Sequence, residues 1–468
     1  MIDDNRSSIL LGNGININFG GSAYTNQFII KRIVFNARSN KYSPIFNDEI
    51  SGEEIAIIFS ELATWTNDIR KGKYDSIITG EDIPVLENFK NRYNWQLNHY
   101  YEVGLEDWFF ILRVYFLKNA NLSDNWESVK QGFERTMLDA IYNEGQIQNL
   151  YLKMGKPVKR YFNQFDKIFT LNYDNNIELL TGRNVFHLHG DYKTPANSEN
   201  PNTLQGYIRT YKGQNVIVNG FEHCYCDALF GYNGNHKYAI ATAFENGEKG
   251  LRELENNISE TGNLPQNIKE IIQIHGEHPE LTFGVEYHFK EFRNLSGELH
   301  IIGLSPNNDN HIFKLIDESE IKKIIYYYFS KNEISNGLPI HQDVEYKDVS
   351  ILWNSLRCAP KQYNCNYSIP ESAKFADFLN VFNLLSADPV DEYEVRKAVN
   401  EVPQFQANEL CNMVREKLLE QKSNGNPKNE KEQMLQFREI SRIALREGIL
   451  PTALYVHAIM NNKVLTFD

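Results

Sequence analysis

The feature that most constrains this chain is a set of short, almost wholly apolar runs, each stopping at a glycine, an asparagine or a small polar residue. Ser8-Ile9-Leu10-Leu11 stops at Gly12-Asn13-Gly14, Lys167-Ile168-Phe169-Thr170-Leu171 at Asn172, and Val185-Phe186-His187-Leu188-His189 at Gly190. Glu298-Leu299-His300-Ile301-Ile302 stops at Gly303-Leu304-Ser305, and a fifth run spans Lys323 to Phe329. Runs this short and this apolar are strands buried on both faces. Helical patterns follow the first run, through Phe28, Ile29, Ile30 and Ile33, and the fourth, through Ile312, Phe313, Leu315 and Ile316, with Asp309 or Asn310 as a cap. The alternation predicts an α/β fold: a Rossmann-like parallel sheet with helices on both faces. Ligands of such sheets bind at the carboxyl ends of the strands, where all of these polar turns fall.

Two long segments interrupt the pattern. Residues 40–163 read as helical and aromatic-rich, with helices over Gly52 to Arg70, Ile83 to Tyr93, Leu105 to Asn119, Asn125 to Asn143 and Gln146 to Phe165, forming a layer over the cleft. Residues 191–297 mix strand-like pieces (Asn215 to Val218, Tyr238 to Ala241) with a helix near Leu264 to His275. Tyr326-Tyr327-Tyr328 reads as a strand at the sheet edge. From about 340 the composition shifts to a Pro-, Asn- and Tyr-rich loop and then helical patterns. This sets a first domain over 1–335, holding the sheet, and a small, mainly helical domain over 340–468.

With 48 Lys and Arg against 61 Asp and Glu, the net charge of −13 repels phosphate backbones, so direct nucleic-acid binding is not expected. Five cysteines, an odd number, give neither a disulfide framework nor a paired zinc motif. No signal-peptide pattern or membrane-length apolar run is visible, and a cytoplasmic protein without membrane association is expected.

The polar turns supply the candidate site. Gly12, Asn13 and Gly14 lie between a strand and a helix, where glycines let the backbone approach a pyrophosphate. Ile17 stands where the dehydrogenase fingerprint needs its third glycine, which argues against an ordinary dehydrogenase. The alternative is a tight turn without ligand. Asn172 and Asp174 put short polar side chains at a strand mouth, as ligand-holding groups or as an Asx turn. In His187-Leu188-His189, strand periodicity puts both rings on one face, as a metal pair requires. The favoured reading has His189 as a general base and His187 as a packed histidine, with no metal. Gly303, Ser305 and Asp309 form a second strand-to-helix turn, either for phosphate or ribose or simply a helix start. His223-Cys224-Tyr225-Cys226 offers too few, too cramped donors for a metal.

In this order the blocks resemble the sirtuin superfamily, and more closely its bacterial sirtuin-like, AbiH-related anti-phage branch. Gly12-Asn13-Gly14-Ile15-Asn16 resembles the family's Gly-Ala-Gly-x-Ser loop, Thr170-Leu171-Asn172-Tyr173-Asp174 its Thr-Gln-Asn-x-Asp, Leu188-His189-Gly190 its Leu/His/Gly block, and Gly303-Leu304-Ser305 its Gly-x-Ser. The resemblance implies a NAD hydrolase acting in abortive infection, with NAD as substrate and no metal. Asn172, His189 and Asp174 would be catalytic, while Gly12, Asn13, Gly14, Asn16, Gly303, Ser305 and Asp309 would hold the dinucleotide. It also implies a homo-oligomer or a companion defence protein: a HerA-type ATPase, an Argonaute or a phage trigger. The alternatives are a nucleotide-binding sensor or scaffold without catalysis, and a protein deacylase. The latter would need the four-cysteine zinc ribbon that 191–297 lacks.

Overall fold

Each apolar run becomes a parallel strand. The computed structural model describes residues 7–356, except 81, 120–125, 214–216, 231–233, 257–265, 306–308 and 335–336, together with 363–364 and 466–467. β1 (Ser7–Leu11) pairs with β2 (Lys167–Thr170) on one side and β4 (Ser296–Ile302) on the other. β3 (Phe186–His187) flanks β2, β5 (Glu320–Tyr328) flanks β4, and β6 (Asp343–Asp348) lies outside β5. All pairings are parallel and the order is β3-β2-β1-β4-β5-β6. This is the Rossmann order, with its reversal between β1 and β4, where such sheets open a crevice.

Period-two alternation sends neighbouring residues to opposite faces. Ile9, Leu11, Ile168, Ile302 and Ile325 join one core; Leu10, Phe169, Leu299, Ile301 and Ile324 join the other. Over the first face lie α1 (Gly14–Gly20), α2 (Asn26–Arg38) and the large insertion. The insertion carries α3 (Gly52–Ser60), α4 (Leu62–Arg70), α5 (Asp82–Arg92), α6 (Asp107–Lys118), α7 (Trp126–Tyr142) and α8 (Lys156–Phe162). Its interior is aromatic: Phe59 stacks on Trp108 at 4.8 Å, with Phe133 edge-on to both. A reciprocal Ser51–Glu54 capping box starts α3. α9 (Asn176–Thr181) links β2 to β3, and the second insertion carries α10 (Leu204–Tyr211), α11 (Gly234–Asn256), α12 (Gln266–Glu277) and α13 (Phe289–Arg293). The second face packs against α13 and α14 (Asn310–Asp317), and α15 (Val349–Ser355) follows β6. Arg183, just ahead of β3, donates to the carbonyls of Phe162, Phe165 and Asp166, tying down the point where the large insertion re-enters the sheet.

Several expectations are corrected. The helix read over Gly52 to Arg70 is two, broken at Glu61 after the Ser60 hydroxyl turns back onto the Ile57 carbonyl. That over Gln146 to Phe165 is a 3-10 segment, Gln146–Lys153, then α8, whose start carries Pro157. Tyr238 to Ala241 is helical, inside α11, because a four-residue apolar piece cannot distinguish the two periods and the Glu- and Leu-containing stretch that follows favours helix. Asn215 and Val216 lie outside the described residues. Tyr326 to Tyr328 is not at the edge, since β6 covers it. β6, Asp-Val-Glu-Tyr-Lys-Asp, lacks the apolar signature because it is an edge strand, with Glu345 paired to Lys323 at 2.7 Å and to Lys347 at 3.1 Å. The sheet therefore runs past the boundary placed at 335–340, and most of 340–468 lies outside the described residues. No helix among the described residues is long and apolar enough to cross a membrane.

Candidate functional site

The sheet's carboxyl edge is assembled first by backbone. At the reversal point the Gly12 amide donates to Ile302 O at 2.9 Å and the Gly14 amide to Gly303 O at 3.0 Å. A Cβ on Gly12 would sit 2.5 Å from Gly303 O, and one on Gly14 2.5 Å from Gly303 Cα. Gly303 itself has φ +75°. These glycines are thus required by the mutual approach of two turns, which accounts for them before any ligand is considered. Asn13 is exposed and donates to Tyr24 O, and Ser305 is exposed.

At the end of β2 the Asn172 carboxamide donates to Gly12 O at 3.2 Å, joining the β2 and β1 turns. Both oxygens of the Asp174 carboxylate are engaged within the protein. It accepts from Asn16 Nδ2 at 2.7 Å, Asn176 N at 3.1 Å and Asn176 Nδ2 at 2.6 Å. Burial raises its pKa, against the lowering effect of these bonds. Asn16 and Asp174, expected to face ligand, therefore face each other. Together with Asn176, which also donates to Ile147 O, they bracket α1, α9 and the 3-10 segment.

The two histidines of the β3 run have separate partners. His187 Nδ1 donates to Asn172 O at 2.9 Å, and its Nε2 meets Glu178 Oε1 at 2.6 Å. Burial lowers its pKa, but the Glu178 carboxylate outweighs this and the pKa is raised. His187 is thus a positioning residue for the Asn172 backbone, and the shared metal face is not formed. His189 instead meets His311 of α14, Nε2 to Nε2, at 2.9 Å. Burial, then the nearby Lys237 and His311, hold His189 well below the ordinary imidazole range; burial, Lys237 and Lys314 take His311 to about 3. Both shifts favour the neutral imidazole.

Around this pair lies a cluster that sequence reasoning missed. Asp309 is buried, and burial raises it to about 7 although Lys237 pulls the other way. Lys237 of α11 is fully buried and pairs with Glu106, the residue just ahead of α6 of the large insertion. Asp309 was anticipated as a dinucleotide-binding residue; His311, Lys237 and Glu106 were not. The spacing of Asp309 and His311 at a helix start was the one available signal. Residues 306–308 lie outside the described residues.

Gly190, with φ +76°, closes the β3 turn against Asp227, whose carboxylate accepts the Asp191 amide at 2.7 Å and which burial raises to about 7. Cys224 and Cys226 are free and buried, the latter pushed up to about 12 by burial. His223 contacts Asp139 at 3.1 Å, while Lys41 occupies the other oxygen of that carboxylate. A cavity of about 260 Å³ bordered by Phe46, Arg135, Arg209 and Tyr225 has none of the strand-end residues in its lining.

Comparison with family models, curated proteins and solved structures yields no match.

Proposed function

We propose that this chain hydrolyses NAD at the nicotinamide–ribose bond, with Asn172 and His189 as its principal groups. The observation that carries the reading is the β3-β2-β1-β4-β5-β6 order, with the Gly12, Asn172, His189 and Gly303 turns all on the carboxyl edge around the β1/β4 reversal. That edge is where dinucleotides bind in sheets of this order. The chemistry suits a site without a strong acid. The C1′–N bond breaks with its electron pair going to nicotinamide, already a cationic leaving group, through an oxocarbenium-like state. Water attacks C1′ and its proton passes to the imidazole of His189, giving ADP-ribose, nicotinamide and, on release from the histidine, a proton. Asn172 orients the water and ribose hydroxyls. Asp174 drops from the catalytic set to a positioning role, since Asn16 and Asn176 use its oxygens. His189 Nε2 is engaged by His311, so general-base work requires these rings to part.

That same burial favours a second reading, a nucleotide-binding sensor or scaffold without chemistry. In either case the defence setting, self-assembly and a companion protein such as a HerA-type ATPase, an Argonaute or a phage trigger belong to the proposal.

The test is incubation of the full chain with NAD and chromatography of the products. Hydrolysis should yield nicotinamide and ADP-ribose, and Asn172→Ala and His189→Ala should each lower turnover by about 100-fold or more. Turnover unchanged in both variants overturns the assignment of these residues. Dinucleotide binding with no cleavage, alone or with a partner, selects the sensor.

A further inference from the structure

We propose that His189, His311 and Asp309 form a binding site for one divalent first-row transition-metal ion of the Zn2+ or Fe2+ type. Their donor atoms all lie within 4.8 Å of one another, and all three residues are buried. The set, two imidazoles and a carboxylate, is a donor combination that such ions take. It is assembled from the end of β3 and the start of α14.

Two physical features support it. The first is the aim of the rings. Nε2 faces Nε2 at 2.9 Å, so without an ion one nitrogen must carry a proton and lend it to the other. With metal–nitrogen bonds of about 2.05 Å, two ligands at 90° stand about 2.9 Å apart, so the rings already hold the spacing of adjacent positions in an octahedral site. A tetrahedral site asks them to part by only about 0.4 Å more. The Asp309 carboxylate then draws in to complete the face. The second feature is charge. Glu106 and Asp309 share the single cation Lys237, which is ion-paired to Glu106. That ion pair commits Lys237 to Glu106, so a cation seated beside the imidazoles would add a counter-charge next to Asp309. A second group of metal-like donors among the described residues, Asp139, His223 and Cys224, has Lys41 on its carboxylate and is the weaker candidate.

The inference does not rest on NAD hydrolysis. An ion held here makes His189 a ligand, so occupancy and use of the same nitrogen as a base exclude one another.

The experiment uses the full chain, free of any affinity tag. Metal content is measured as purified, and the stripped protein is titrated with Co2+ and Zn2+. One ion per chain is expected, with His311→Gln and Asp309→Asn each weakening it by about 10-fold or more and exposed His341→Ala leaving it unchanged. Should either site variant fail to fold, X-ray absorption at the zinc edge of the wild type replaces it: nitrogen and oxygen donors without sulfur are expected. No binding by the wild type, binding indifferent to both variants, or a sulfur ligand pointing to Cys224 each overturns the proposal. NAD cleavage measured on the same samples is a separate readout: absence of metal leaves the hydrolysis reading standing, and cleavage by fully loaded protein would take the base role from His189 without touching the metal site.

Discussion

The β1/β4 junction and the cluster at the end of β3 occupy the same edge of one sheet and are built by opposite means. At the junction Gly12, Gly14 and Gly303 bring backbone onto backbone, and the space for a single Cβ is already taken. At the cluster His189, Lys237, Asp309 and His311 bring ionisable side chains together out of water, with the half-buried Glu106 at its margin. The junction leaves no room for an added atom, whereas the cluster sets charges to answer one another. The contrast teaches that polar turns which look alike in sequence carry different loads: some close the sheet, and others hold chemistry in reserve.

The sharpest way to break this contrast is to remove the buried cation. Lys237→Met leaves Glu106 and Asp309 without it and should cost about 3–5 kcal/mol in denaturant unfolding, with Glu106→Gln in the same chain restoring part of the loss. A cost under about 1 kcal/mol would mean that the cluster is hydrated and the contrast false. Next in size, Gly303→Ala adds a Cβ at φ +75°, where it would lie 2.8 Å from Gly14 Cα. Strain and overpacking should together cost about 2–4 kcal/mol, read the same way. Asp174→Asn keeps the shape but turns an amide donor towards groups that themselves donate, and about 1–3 kcal/mol should be lost. An equal loss in Asn16→Ala would show the bracket acting as one unit.

A pH-dependent effect of similar size sharpens the comparison at a place that mixes both devices, Gly190 closed against Asp227. Asp227 holds its proton up to about 7, while an unfolded aspartate releases it near about 4. Between these values the native state binds the proton that the unfolded chain has lost, so this group's contribution to stability falls as pH rises through the window. Asp227→Asn keeps an acceptor for the Asp191 amide and should flatten that slope, seen as a smaller difference between urea midpoints at pH 5 and pH 7.5. An unaltered slope would remove Asp227 as its source.

Five of the six strands of the main sheet are legible in the sequence because their apolar runs must be buried on both sides. The sixth is not, because an edge strand such as Asp343–Asp348 can be charged and still pair. The helical layer is legible as helix, but its breaks at Glu61 and ahead of Pro157 depend on local hydrogen bonding and proline placement. At the site, sequence places His189 at the right edge of the sheet. It does not give His311, 122 residues away, nor Lys237 and Glu106, because partners on separate segments leave no spacing to read. It points to Asp174 as a ligand-holding group because residue type and position reveal a polar atom, but not that Asn16 and Asn176 already use it.

Arg183 gives the molecule a mechanical property. By gripping the carbonyls of Phe162, Phe165 and Asp166, it fastens the root of the helical layer to the short strand leading to His189. The opposite rim of that layer reaches the same neighbourhood through Glu106 and Lys237. The helical layer is thus fastened to the carboxyl edge of the sheet twice, once just ahead of β3 and once beside the histidine pair.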